Sequence, residues 1–123
     1  MTNYKKSIEE IKNDLYFCQK YWVIIYGSYL TDYFIPYRSD IDIAIVTKKK
    51  SKVHNTKIWK SILGKATSLY DIKIFELLPL YIKIEIINNY KVIFGDDLEI
   101  SEYFYQYRKI WKDIKHRIQS NQF

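Results

Sequence analysis

The sequence predicts an α/β (α+β) fold organised as a single domain over residues 1–123, and three observations predict it. Short stretches rich in Ile, Val and Tyr read as strands, two of them with strict alternation of apolar and polar residues. Other segments repeat their apolar residues at steps of three and four, the period of an amphipathic helix. The chain of 123 residues is 48% hydrophobic and 18% aromatic, with 13 tyrosines. That is enough to bury one core without staples, and it favours a sheet within that core.

The same totals narrow the setting. One cysteine, Cys18, excludes an internal disulfide, and its place on an apolar helix face makes it a small buried hydrophobe in a reducing, cytoplasmic protein. Tyr4, Lys5, Lys6 and Glu9 interrupt any leader-like run, and no apolar stretch reaches membrane-spanning length, so a soluble intracellular protein with no membrane partner is expected. The formal charge of +6 raises the question of nucleic acid. Lysine is scattered, however, and the one run, Lys48 to Lys50 with Lys52, reads as a solvated loop. A nucleoside triphosphate or an acidic protein would respond to the same field.

Taken in order, Tyr4, Ile8, Ile11, Leu15 and Cys18 line one face of a first helix. A strand follows from Tyr21 through Val23, Ile24, Ile25 and Tyr26, and breaks at Gly27 and Ser28. A short helical turn over residues 29–33 leads to a loop that Pro36 keeps from continuing as helix or strand. The second strand runs from Asp40 to Val46. A crossover helix over residues 54–66 carries Ile58, Trp59, Ile62 and Leu63. The third strand, residues 69–75, alternates with Asp71 and Lys73 on one face and Ile72 and Ile74 on the other. Pro79 opens a helix that reaches Asn88 and Asn89 with Leu80, Ile84 and Ile87 inward, and a short strand from Lys91 to Phe94 stops at Gly95. The last helix, about residues 100–118, has one apolar stripe at Tyr103, Tyr107, Ile110, Ile114 and Ile118, with Phe104 and Trp111 set off that face. Either one side packs on the domain and the other meets another chain, or the whole helix is broadly buried; the pattern ranks these two equally.

The stretch from Val23 to Val46 carries the chemistry. Asp40 and Asp42 stand at i and i+2 of one strand and project to the same side, roughly 6 to 7 Å apart. Two like charges at that distance are unfavourable without a cation between them, and the spacing suits a divalent metal. Gly27 permits a tight turn and close approach of a ligand to the backbone, and Ser28 is placed to cap a short helix whose N–H groups face an anion. Alone, an Asp-x-Asp is usually a solvated edge and a Gly-Ser a turn; in this order they form a metal site beside an oxyanion cradle. That combination is what transfer of a phosphoryl or nucleotidyl group needs. Asp71 joins them if its strand lies beside the Asp40–Asp42 strand. Arg38 is a candidate phosphate contact, with a solvated loop the simpler reading.

The ordered set of Gly27-Ser28, eleven residues, Asp40-x-Asp42, Asp71 and Leu77-Leu78-Pro79 leading to Val92-Ile93-Phe94 resembles a minimal nucleotidyltransferase (MNT) of the DNA polymerase beta superfamily. The resemblance covers almost the whole chain. It implies a small mixed sheet flanked by helices, ATP as substrate and two Mg²⁺ ions. By motif position it assigns Asp40 and Asp42 to the metals, Asp71 to the metals and the attacking hydroxyl, and Gly27 and Ser28 to the triphosphate. Two differences stand out: many members have a further Gly where this chain has Asp32, and Glu76 follows Asp71, on the opposite strand face by alternation, as a competing third acid.

Stand-alone members this small are similar to the antitoxin of HEPN/MNT toxin–antitoxin pairs, which transfers AMP to a tyrosine of its partner. The resemblance therefore implies a HEPN-type toxin as partner, with the last helix as a docking element for it or for another copy. Three alternatives stay open: a transferase for a small hydroxylated compound such as an aminoglycoside, a binding antitoxin without turnover, and an RNA-acting transferase. The last lacks a concentrated basic or stacking surface.

Overall fold

The computed structural model describes residues 5–36 and 38–120. Four strands, β1 (Trp22–Tyr26), β2 (Ile41–Val46), β3 (Tyr70–Ile74) and β4 (Tyr90–Phe94), form one sheet in the order β3-β2-β1-β4. β1 is antiparallel to both β2 and β4, whereas β2 and β3 are parallel. The sheet is thus mixed. The parallel pair needs a crossover, and α2 (Lys52–Leu63) supplies it.

Helices cover both faces. On one, Val23, Ile25, Ile41, Ile43, Ile45, Ile72 and Ile74 pack with Ile11 and Leu15 of the first helical segment and Ile58 and Ile62 of α2. On the other, Ile24, Ala44 and Val46 pack with Phe75, with Ile84, Ile86 and Ile87 of α3 (Leu80–Asn88), and with Ile100 and Phe104 of α4 (Asp97–Ser120). Period-two alternation divides each strand between these two cores. A strand buried on both faces reads as a near-continuous apolar run, which is what β2 shows after Asp42.

Most element ends trace to local chemistry. The first helix, α1 (Ile8–Asp14), starts later than the spacing predicts because Ser7 and Glu10 form a reciprocal capping box. Tyr4, the expected first apolar position, lies outside the described residues. Cys18 falls in a separate 3₁₀ turn and is buried, as its apolar surroundings predict. α2 begins at Lys52 rather than at residue 54, because the Ser51 side chain accepts from the His54 amide. Pro79 is the residue before α3 rather than its first. α4 begins at Asp97, earlier than expected, because the Asp96 carboxylate accepts from the Glu99 amide.

The apolar face of α4 also differs from the sequence pattern. Phe104, set off the main stripe by spacing, is almost fully buried, at 1% exposure, against Phe75 and Tyr90. Ile110 and Ile118 of the expected stripe are 46% and 55% exposed. The inward face is set by Ile100 and Phe104, four residues apart, and this rotates the stripe relative to the reading that started at Tyr103. No helix of the described residues is long and apolar enough to cross a membrane.

Candidate active site

β2 and β3 bring the acids together. Their register places Asp42 opposite Asp71 on adjacent parallel strands. Both side chains rise on the sheet face that carries Ala44 and Val46. Asp40 lies one residue before β2, so it precedes the strand rather than opening it. Its charge still acts on Asp42.

The Asp42 carboxyl titrates above its ordinary range. Partial burial is the first cause, the negative charge of Asp71 the second, and Asp40 adds to both, while Lys73 opposes them. The Lys73 ammonium donates to both carboxylate oxygens of Asp71 at 2.9 Å. A tethered cation therefore sits at the edge of the acidic pair. The Tyr26 side chain is half-buried on β1 directly across from Asp42, and its hydroxyl pKa is pushed well up by burial and by the charges of Asp42 and Asp71. Sequence reading placed Lys73 on the face of Asp71 without assigning it a part, and it took Tyr26 only as a strand residue. Both join the site through pairings between strands.

Gly27 follows β1 with φ +77°, a conformation L side chains rarely adopt, and a Cβ there would collide with Oδ2 of Asp42. The absent side chain is thus what lets the turn close over the carboxylate. Residues Gly27–Leu30 form one 3₁₀ turn, preceded by Tyr26 with no side-chain cap. Ser28 lies inside this turn and does not cap it, contrary to the sequence expectation; its carbonyl accepts from the amide and hydroxyl of Thr31. The turn runs over Gly27–Leu30 rather than residues 29–33 and so starts two residues earlier than expected, at the glycine itself. Arg38 is exposed, and its amide closes a loop turn onto the Ile35 carbonyl.

Glu76, the competing acid, is engaged elsewhere. Its carboxylate accepts from the Thr47 amide, the Lys48 amide and the Tyr103 hydroxyl at 3.1, 2.9 and 2.7 Å. It ties the far end of β2 to α4 and is not one of the paired acids.

Among the described residues no three Asp, Glu, His or Cys side chains gather as a self-contained metal cage. A small hard cation does not need one. Mg²⁺ is typically held by one or two carboxylates with the remaining positions filled by water and substrate phosphates. The oxygen-only pair of Asp42 and Asp71, with Asp42 destabilised by its neighbours' charge and a glycine turn against it, fits such a cation.

The fold and this site define a nucleotidyltransferase, and the chain belongs to the polymerase beta nucleotidyltransferase family, whose profile matches residues 9–99. It is 55% identical over 101 residues, 82% of this chain and 77% of the relative, to a Methanocaldococcus jannaschii protein named as a candidate protein adenylyltransferase. Two solved structures share the fold. One is a complex of a tri-AMPylated Shewanella oneidensis HEPN toxin with an MNT antitoxin, matched with TM-score 0.64 and 12% identity over 93% of this chain and 94% of that one. The other is a toxin–antitoxin structure with AMP-PNP, matched with TM-score 0.67 and 13% identity over 89% and 93%.

Proposed function

We propose that this nucleotidyltransferase uses ATP and Mg²⁺ to transfer AMP to a tyrosine hydroxyl of a HEPN-type toxin, and so acts as its antitoxin. The observation that carries the reading is the in-register pairing of Asp42 with Asp71 beneath the Gly27 turn. The name of the archaeal relative supports protein adenylylation, and the two solved structures support the toxin as acceptor and ATP as donor.

In this reading Asp40, Asp42 and Asp71 hold the metal ions, and the Gly27-Ser28 turn holds the β- and γ-phosphates. Arg38 is placed in the loop before Asp40, where it can meet a phosphate oxygen. Bound magnesium supplies charge neutralisation around the α-phosphate and the leaving pyrophosphate. Asp71 orients the acceptor hydroxyl and takes its proton as the oxygen attacks the α-phosphorus. The new P–O bond forms as the bond to the bridging oxygen breaks, and pyrophosphate leaves. Lys73 keeps the Asp71 carboxylate oriented before the substrates arrive. In this reading the acceptor hydroxyl enters beside Asp71.

The test is to incubate the protein with ATP labelled at the α-phosphate, Mg²⁺ and the candidate toxin. Label on a toxin tyrosine, lost with Asp42→Ala, is the expected result. Neutralisation of the toxin without label would instead support a binding antitoxin, and label on an aminoglycoside supplied in place of the toxin would support a small-molecule transferase.

A further inference from the structure

The apolar residues of α4 follow a heptad that begins inside the domain and continues past it. Ile100, Phe104, Tyr107, Trp111, Ile114 and Ile118 are spaced four, three, four, three and four, the a/d pattern of a coiled-coil seam. The first half of the seam is filled from within: Ile100 and Phe104 are buried, and Tyr107 and Trp111 pack on the same core. The Arg108 guanidinium donates to the Ile87 carbonyl at 3.1 Å and closes that half against α3. The second half has no such cover. Ile114 is only partly buried, Ile118 is 55% exposed, and Ile110 beside the seam is 46% exposed.

The charges that flank this open half decide what can sit on it. Lys115 and Arg117 occupy the e and g positions beside Ile114 and Ile118, with Lys109, Lys112 and His116 behind them and Asp113 the one acid. The e and g residues face the partner's flanks in a packed helix pair and set partner choice by charge. A second copy would bring the same cations against these and be repelled. A helix with an apolar stripe edged by Glu and Asp would complement them.

We infer that residues 108–120 of α4 are a docking helix for an acid-edged amphipathic helix of the acceptor protein, which seats there by extending the seam begun at Ile100. This rests on the reading of a protein acceptor, and it names the surface and the kind of element that surface takes. The earlier turns of α4 are held to the domain by Glu76 through Tyr103 and by α3 through Arg108, so a protein bound to residues 108–120 is tethered to the same body as Asp42 and Asp71. Tethering raises the effective concentration of the acceptor hydroxyl without any contact at the acids.

The probe is a synthetic 21-residue helical peptide with Ile and Leu at a and d and Glu at e and g, titrated into ¹⁵N-labelled protein, with a Lys-edged peptide as control. Saturable shifts of the Trp111 indole N–H and of residues 108–120 are expected below about 1 mM, the range a short seam can supply. They should weaken at least tenfold in the Ile114→Asp, Ile118→Asp double variant and with rising salt. Both positions are solvent-facing enough for the variant to keep its fold, which its unchanged spectrum elsewhere will confirm. Equal binding of the Lys-edged peptide, no saturable shift, or a self-associating wild type made monomeric by the same substitutions would overturn the inference. Shifts near Tyr26 on adding MgATP, read in the same samples, report on the catalytic reading separately.

Discussion

Each end of β2 meets an acidic group, Asp42 from the strand itself and Glu76 from the turn after β3, and the two groups are treated in opposite ways. Glu76, at the Val46 end, is met by two backbone amides and the Tyr103 hydroxyl. Asp42, at the other end, faces Asp71 in register, feels Asp40 as well, and has one lysine to offset them. Burial with donors supplied makes a carboxylate a fastener. Burial beside like charges raises the cost of ionising it, and in the proposed reading a cation relieves that cost. Polar satisfaction, rather than the presence of acids, is what separates the structural end of this strand from the chemical one.

The largest expected effect tests the chemical end. Asp42→Ala should reduce AMP transfer by a factor on the order of 10³ or more, about 4 kcal/mol of barrier, with the far-ultraviolet circular dichroism unchanged. Asp71→Ala should follow it closely; an Asp71 variant with near-normal turnover would break the pairing on which the contrast rests. Next, Glu76→Ala should cost about 2 to 4 kcal/mol in denaturant unfolding, because it strands two amides and a hydroxyl at once, while leaving MgATP binding in place. Gly27→Ala forces a side chain into positive φ and against Asp42, so a loss of about 1 to 3 kcal/mol is expected together with weakened ATP binding.

The smallest effect is the most diagnostic, because its sign is reversed. The folded state holds the Asp42 proton more tightly than the unfolded one, so the wild-type protein binds more protons when native. Its stability therefore falls as pH rises from the unfolded value of 3.8 through the raised folded value. In EDTA at neutral pH, Asp42→Asn should raise the melting temperature by about 3 °C, and at pH below 3.8 the gain should vanish. A destabilising Asp42→Asn in metal-free protein would show that Lys73 already satisfies the pair.

What the sequence made legible follows from which features are local. Alternation in residues 40–46 and 69–75 identified both acid-bearing strands, since side-chain period is intrinsic to a strand. The Gly27 break was legible too, because a strand followed by Gly-Ser has few other meanings. The register of Asp42 against Asp71 was conditional on strand adjacency, which the packing of α2 across the sheet decides. Glu76 shows the same limit: alternation removed it from the face of Asp71, but its partners just past β2 and on α4 lie 27 to 29 residues away along the chain. The start of α4 was missed because Gly95-Asp96-Asp97 reads equally as a turn and as a cap, and only the Asp96 to Glu99 bond selects the cap. Its inward face was misjudged by the weight given to Tyr103, whose half-burial comes from contacts with Trp22 and Glu76 rather than from the centre of the core.

Isothermal titration of ATP in the presence of Mg²⁺ addresses the contrast between the two ends most directly, using the wild-type protein, Asp42→Asn and Glu76→Gln. The account predicts that wild type and Glu76→Gln bind with the same affinity, and that Asp42→Asn loses binding or weakens it at least tenfold. Binding by Asp42→Asn equal to wild type would place the nucleotide away from the paired carboxylates and contradict the account.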